Sequence, residues 1–434
     1  MKTTRTALNP VLLSLALGLA VAPVIHAQST ESDAAPERGK FEAAALPAPD
    51  KPYVVPDLLP QAFTDLTTFK SRWFAMKFGL VAIADFNSFS QDFDSLSQVG
   101  RQEDQWDDRA VRLMLSGSIG DSYKVGYLIA GEYKGFDSEP TDLWQLTDAS
   151  LFFPIFGPAT KLTIGKTKET FDYEMVGDAA NLPHQERVLS PFFVSRNIGI
   201  KLSHVFGEKQ FMTAALGVYN DWWVTDSDFS DSGTDVTARI TGLVWDEKDG
   251  TSFLHLGVSG RYAGADNNAM RYRSRPESNV ADYFLDTGTL VGDHASHVGL
   301  EALWNEGPFS ILAEYNHAWV SSAQSGDPDF SGYYITGSWV LTGETRPYDR
   351  TAGYARRIIP KSRWGAIELV ARFSSEDLNS GSVQGGSFDK TYVGINWWAT
   401  RRAKIGFGWG HTWLDRFDKT GVMDSFQTRV QWIY

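Results

Sequence analysis

The chain has 434 residues, no cysteine, 15 Trp, 16 Tyr and 27 Phe, and a formal charge of −13. With a mean hydropathy of −0.26, it lacks the ~18 uninterrupted apolar residues of a membrane-crossing helix and has no disulfide framework. The acidic balance argues against a nucleic-acid partner, and the aromatic load is heavy for a soluble enzyme.

In chain order, Lys2 and Arg5 precede an apolar stretch from Val11 to Val24 and a cleavage-like Ile25-His-Ala27. Residues 1–27 are expected to be a secretory leader, whose removal leaves a charge of −15 once Lys2 and Arg5 are gone. Residues 28–72 are rich in Ala, Pro and charge, a composition that disfavours helix and central strand and predicts a flexible periplasmic tail.

From residue 73 to 434 apolar residues recur every second position, as in Phe74, Met76, Phe78 and Leu80, or Val111, Leu113 and Leu115. Sixteen such windows follow one another, each close to the ~9–11 residues a tilted strand needs to cross a bilayer. The last alternates from Phe426 to a terminal aromatic, Tyr434. The expected fold is all-β, a transmembrane antiparallel β-barrel of about sixteen strands with short periplasmic turns and longer outer loops. Expected turns include Gly120-Asp-Ser122, 206–210, Glu306-Gly-Pro308 and Thr400-Arg-Arg402; expected outer loops span 88–107, 169–196, 221–234, 263–295 and 375–387. Residues 342–364 are too long for a periplasmic turn, and such a segment can fold up into the lumen. A soluble sandwich or propeller also alternates, but explains neither the leader nor the terminal aromatic.

No nucleophile elbow, His-Glu-x-x-His pair or clustered metal ligands occur in the sequence, so no catalytic step, metal or cofactor is implied. The sharper signal is Arg271-Tyr-Arg-Ser-Arg-Pro-Glu277. In extended chain Arg271, Arg273 and Arg275 point the same way about 6.5–7 Å apart, a spacing suited to handing an anion from one planar donor set to the next. A basic loop touching acidic outer-leaflet sugars is the blander reading. A second basic cluster, Arg346, Arg350, Arg356, Arg357, Lys361 and Arg363 against Glu344 and Asp349, lies in the oversized turn. Lys166 and Lys168 leave their strand together, and Arg187 lies in a loop of mixed charge where carboxylates outnumber basic residues.

These segments, with Leu162-Thr-Ile-Gly-Lys-Thr-Lys168, Arg196-Asn-Ile-Gly199, Gly343-Glu-Thr-Arg-Pro-Tyr348, Ile358-Ile-Pro360 and Gly394-Ile-Asn-Trp-Trp398, resemble the phosphate- and polyphosphate-selective porins of Gram-negative outer membranes. The resemblance implies a sixteen-stranded homotrimer in which two outer loops and one inner turn narrow a pore lined by Arg and Lys. It implies Arg271, Arg273 and Arg275 as a ladder, Arg187 as a constriction arginine, and Lys166, Lys168 and Lys361 as central lysines. The expected function is passive diffusion of small anions, phosphate or polyphosphate first, in contact with outer-membrane lipid and lipopolysaccharide. A general or carbohydrate porin, favoured by Tyr272, Trp304 and Trp319, is the alternative within transport; a barrel enzyme is the alternative outside it.

Overall fold

The computed structural model describes residues 68–120, 125–134, 143–220, 232–247, 250–265 and 267–434. The leader, most of the Pro-rich tail and the Gly120-Asp-Ser122 turn beyond Gly120 lie outside these residues.

Sixteen strands form one closed antiparallel wall: β1 (Phe74–Gln91), β2 (Gln105–Ile119), β3 (Val125–Tyr133), β4 (Trp144–Pro154), β5 (Thr160–Thr167), β6 (Asn197–Phe206), β7 (Met212–Asn220), β8 (Ser232–Glu247), β9 (Ser252–Ala265), β10 (His294–Glu306), β11 (Phe309–Ser321), β12 (Asp329–Val340), β13 (Ala366–Ser380), β14 (Val383–Trp398), β15 (Ala403–Arg416) and β16 (Lys419–Ile433). Each strand pairs with its sequence neighbours, and β1 pairs with β16 from Val81↔Ile433 to Gln91↔Met423. Closure leaves no edge of unpaired backbone groups, as hydrocarbon requires. A short strand, Thr68–Lys70, also pairs with Ala75–Lys77 of β1, below the point where β16 ends.

The sixteen windows of alternation correspond one for one to these strands. Outward positions carry Leu115, Ile129, Ile200, Leu216, Ile240, Val258, Leu300, Ile335, Val393 and Phe407, all well exposed. Large apolar side chains turned away from the core on every side are stable only against hydrocarbon. Trp304, Phe309, Trp339 and Trp397 sit near one end of their strands, and Tyr262, Trp319 and Trp413 near the other, the two-girdle arrangement of a bilayer-spanning barrel.

Three connections enter the lumen: the loops 168–196 and 267–293 from the end opposite Tyr434, and the turn 341–365 from the end that carries it. One expected outer loop does not exist. Residues 375–387 continue β13 and β14 into a hairpin closed by Gly381-Ser382, with Gly381 at φ 56°. Their Gly and Ser content reads as loop, yet Leu378 and Val383 keep the inward alternation and are buried.

Candidate functional site

Loop 168–196 enters the lumen because it is apolar on one side. Phe171, Tyr173, Met175, Val188, Leu189 and Phe192 are buried in one cluster with Tyr272, Phe284, Leu285, Leu303 and Phe330, each fully buried large side chain contributing roughly 1.5–3 kcal/mol. Its polar groups are anchored separately. The backbone N–H groups of Tyr173 and Glu174, opening the turn Tyr173–Val176, donate to the Glu314 carboxylate at 2.5 and 3.1 Å, which satisfies donors that a helix start leaves unpaired.

The loop's carboxylates, more numerous than its basic residues, are met by arginines of the wall. Glu169 pairs with Arg261 of β9, Glu174 with Arg372 of β13, and Glu186 with Arg109 of β2 and Arg429 of β16. Burial pushes the Glu174 and Glu186 carboxyls up. Arg372 and His184 for the first, and Arg109 and Arg429 for the second, outweigh it and hold both at about 2. The loop's cations are held differently. Arg187 donates from Nε to the Glu174 carbonyl at 2.7 Å and from a terminal nitrogen to the Gly177 carbonyl at 3.1 Å, so its direct partners are carbonyls, with the Glu186 and Glu174 carboxylates farther off. Lys168 Nζ reaches the Val176 and Gly177 carbonyls and Asp178 Oδ1 at 2.9 Å. Burial pushes its ammonium down to about 8, while Lys168 itself draws the Asp178 carboxyl down to about 2.

The oversized turn 341–365 rises to meet this loop. Tyr348 Oη lies 2.6 Å from His255 Nδ1, the Gly353 carbonyl accepts from Arg239 at 2.7 Å, and the Ala355 N–H donates to Tyr173 Oη at 2.7 Å. The Tyr354 ring stands perpendicular to that of Tyr173 with centroids 6.4 Å apart.

Between loop, turn and the wall from β1 to β8 lies a passage-like cavity of about 850 Å³. Eleven of its lining side chains are Arg or Lys and five are Asp or Glu, a local excess of positive charge inside a chain whose total is −13. Most of these cations face a carboxylate, as Arg112 does Glu132 and Arg196 does Asp148. Four do not among the described residues. Arg187 is held as above; Lys201 donates to the Lys168 carbonyl at 2.9 Å, Arg357 to the Arg401 carbonyl at 2.8 Å, and Lys161 lies 5.3 Å from the Phe152 ring centroid. In a confined space, cations without a directly paired acid favour anions over cations.

Of the residues singled out in the sequence, Lys168, Arg187, Arg356 and Arg357 line this passage. Arg356 is neutralised by Asp349. Lys166 stands on the other side of the wall. It pairs in register with Ala149 and Ile198 and shares parity with Ile164 and Leu162, because only odd positions of β5 face inward. Lys361 is exposed at the turn's far end, where its N–H donates to Glu344. Arg271, Arg273 and Arg275 lie on one face of loop 267–293. Tyr272 and Ser274 are buried between them, Tyr272 Oη lying 3.0 Å from His297 Nε2 of β10. Arg271 forms a two-pronged pair with Asp286, and Arg273 and Arg275 lie 4.3 and 4.7 Å from the Tyr283 ring centroid. These three are not among the lining residues of the central passage. Lys161, Lys201, Arg109, Arg112 and Arg196 line it without having been singled out as site residues. Inward parity alone would have found Lys161 with Thr163 and Lys201 with Ser203.

Comparison with known proteins gives concordant results. The family described as phosphate-selective porin O and P matches residues 82–411. Porin O of Pseudomonas aeruginosa is 23% identical over 273 residues, which span 55% of this chain and only 60% of that relative's length. Among solved structures, the outer membrane channel DcaP of Acinetobacter baumannii superposes with a TM-score of 0.52 at 12% identity, covering 84% of this chain and 99% of that one. The anion-selective porin from Comamonas acidovorans does so with 0.51 at 11%, covering 83% and 100%. At such identities the two structures speak for the barrel fold.

Proposed function

The chain belongs to the family of phosphate-selective porins O and P, in the Gram-negative outer membrane, and on that premise we propose that it is a passive channel for small anions. Phosphate or polyphosphate is the first candidate, following the family's name. The observation that carries this reading is the passage lined by eleven cations and five carboxylates, four of the cations being held by carbonyls or a ring instead of an acid. An anion entering from water exchanges its hydration for these donors one after another, and no single site holds it tightly enough to stop exit. Arg271, Arg273 and Arg275 form the approach, with Arg271 damped by Asp286; Arg187, Lys168, Arg357, Lys161 and Lys201 form the narrow part. Assembly as a homotrimer embedded in lipid and lipopolysaccharide belongs to the same proposal. It is supported by the closed apolar exterior and by a trimeric form of a barrel of similar fold, OmpT of Vibrio cholerae.

The test is the reversal potential across a potassium chloride gradient in planar bilayers. Chloride preference is expected, with phosphate blocking the chloride current. Replacing Arg271, Arg273 and Arg275 together by Ala should weaken that preference; cation preference in the unmodified channel would overturn the proposal.

A further inference from the structure

A porin lumen is ordinarily polar throughout, yet one sector of this passage is not. On β1 to β4 the inward positions Val81, Met114, Leu128 and Phe152 all line it and are half-buried. The pairing registers place them on a single line. Val81 lies opposite Arg112, two residues from Met114; Met114 lies opposite Ala130, two residues from Leu128; Leu128 lies opposite Ser150, two residues from Phe152. Each step moves one strand across and two residues along, so diagonal neighbours stand about 7–8 Å apart. The line continues past Val81 into Ile83, where Ala110, Ile433 and Ala180 of loop 168–196 cover it. That end is packing. Val81 packs against that covered end, while Met114, Leu128 and Phe152 remain half-exposed along the cavity wall.

Cations run beside this stripe. Arg112 stands in register with Val81, and Lys161 extends over the Phe152 ring. Lys201 lies opposite Thr163, which itself lies opposite Phe152. An inorganic oxyanion uses only the donors and leaves the stripe wet. A solute with a charged head and an apolar body uses both, since apolar surface removed from water is favourable at roughly 25 cal/mol per Å².

We infer that the passage accepts small organic anions, carboxylates joined to an aliphatic or aromatic body, with the carboxylate on Lys161 and Lys201 and the body on the Met114–Leu128–Phe152 stripe. This rests on the anion-channel reading above and adds a substrate class to it. The volume is compatible: about 850 Å³ falls within the ~300–1,000 Å³ of ordinary small-molecule sites.

The experiment compares block of the chloride current by benzoate, acetate and inorganic phosphate. In the unmodified channel benzoate should block at a concentration about three- to tenfold below acetate, the gain expected from covering one ring face. With Met114→Gln and Leu128→Gln together the two concentrations should converge. Phe152→Leu, a milder change that keeps an apolar wall, supplies a second variant should the first not reach the membrane; it should retain part of the benzoate advantage. Equal block by benzoate and acetate in the unmodified channel, or an undiminished benzoate advantage in the double variant, overturns the inference. The reversal potential in the same bilayers reports the cations separately. Absence of chloride preference there defeats the channel reading itself, whereas chloride preference without a benzoate advantage defeats only the stripe.

Discussion

The inner wall from β9 to β16 and the inner wall from β1 to β8 carry the same residue types to different ends. On the first, Arg261, Arg372 and Arg429 are buried and each meets two carboxylates: Glu169 and Asp235, Glu174 and Glu277, Asp85 and Glu186. The loops cover them and exclude water. On the second, Lys161 and Lys201 face an open passage with a ring and a carbonyl as partners. Arginine beside acid under a loop is mortar. The same charge without an acid, and wet, is field. A sum of charges over the chain cannot distinguish the two, which is why an acidic protein can hold a cationic passage.

The contrast is broken most severely on the dry side. Arg372→Ala leaves Glu174 and Glu277 buried without their shared cation and strips the Tyr334 ring of a guanidinium 3.7 Å away. A loss of about 3–5 kcal/mol is expected for such a broken buried pair, read as a lower temperature for the heat-induced mobility shift in detergent. On the wet side, Lys161→Gln with Lys201→Gln should leave that temperature nearly unmoved. The chloride-to-potassium permeability ratio should instead drop by about tenfold, as removal of unit charges acting over several ångströms in a partly aqueous medium implies.

The contrast is sharpened by pH. An ammonium pushed down to about 8 is charged below that value and neutral above it. Anion preference should therefore decline between pH 7 and 9, by at least roughly two- to threefold for the loss of that one screened charge. Lys168→Arg, which stays charged, should make the decline measured by reversal potential shallower. The smallest effect belongs to Asp286→Asn. It frees the half-exposed Arg271, should change stability by no more than about 1 kcal/mol, and should slightly strengthen phosphate block at low salt.

The wall was legible because a period of two is a local signal, repeated sixteen times. The hairpin of β13 and β14 was lost where Gly381, Gly385 and Gly386 suggested a loop, since the buried Leu378 and Val383 that extend the strands are only two inward residues in a polar stretch. The upward fold of 341–365 was legible from its length alone. The passage was harder. Arg271, Arg273 and Arg275 stand out by clustering in sequence, whereas Lys161 and Lys201 stand together only through the β5–β6 register, in which Lys161↔Ser203 and Lys201↔Thr163 lie side by side. Lys166 misled because strand parity had to be fixed first, and in a short eight-residue strand one residue decides between lipid and lumen.

The meeting of Tyr173 with Tyr354 and Ala355 joins segments that entered the cylinder from opposite mouths. An aperture gripped from both ends has no hinge of its own. In the proposed channel such a bore is expected to act as a fixed collar, not a shutter, and a change in its width to need substitutions in two distant stretches of the chain.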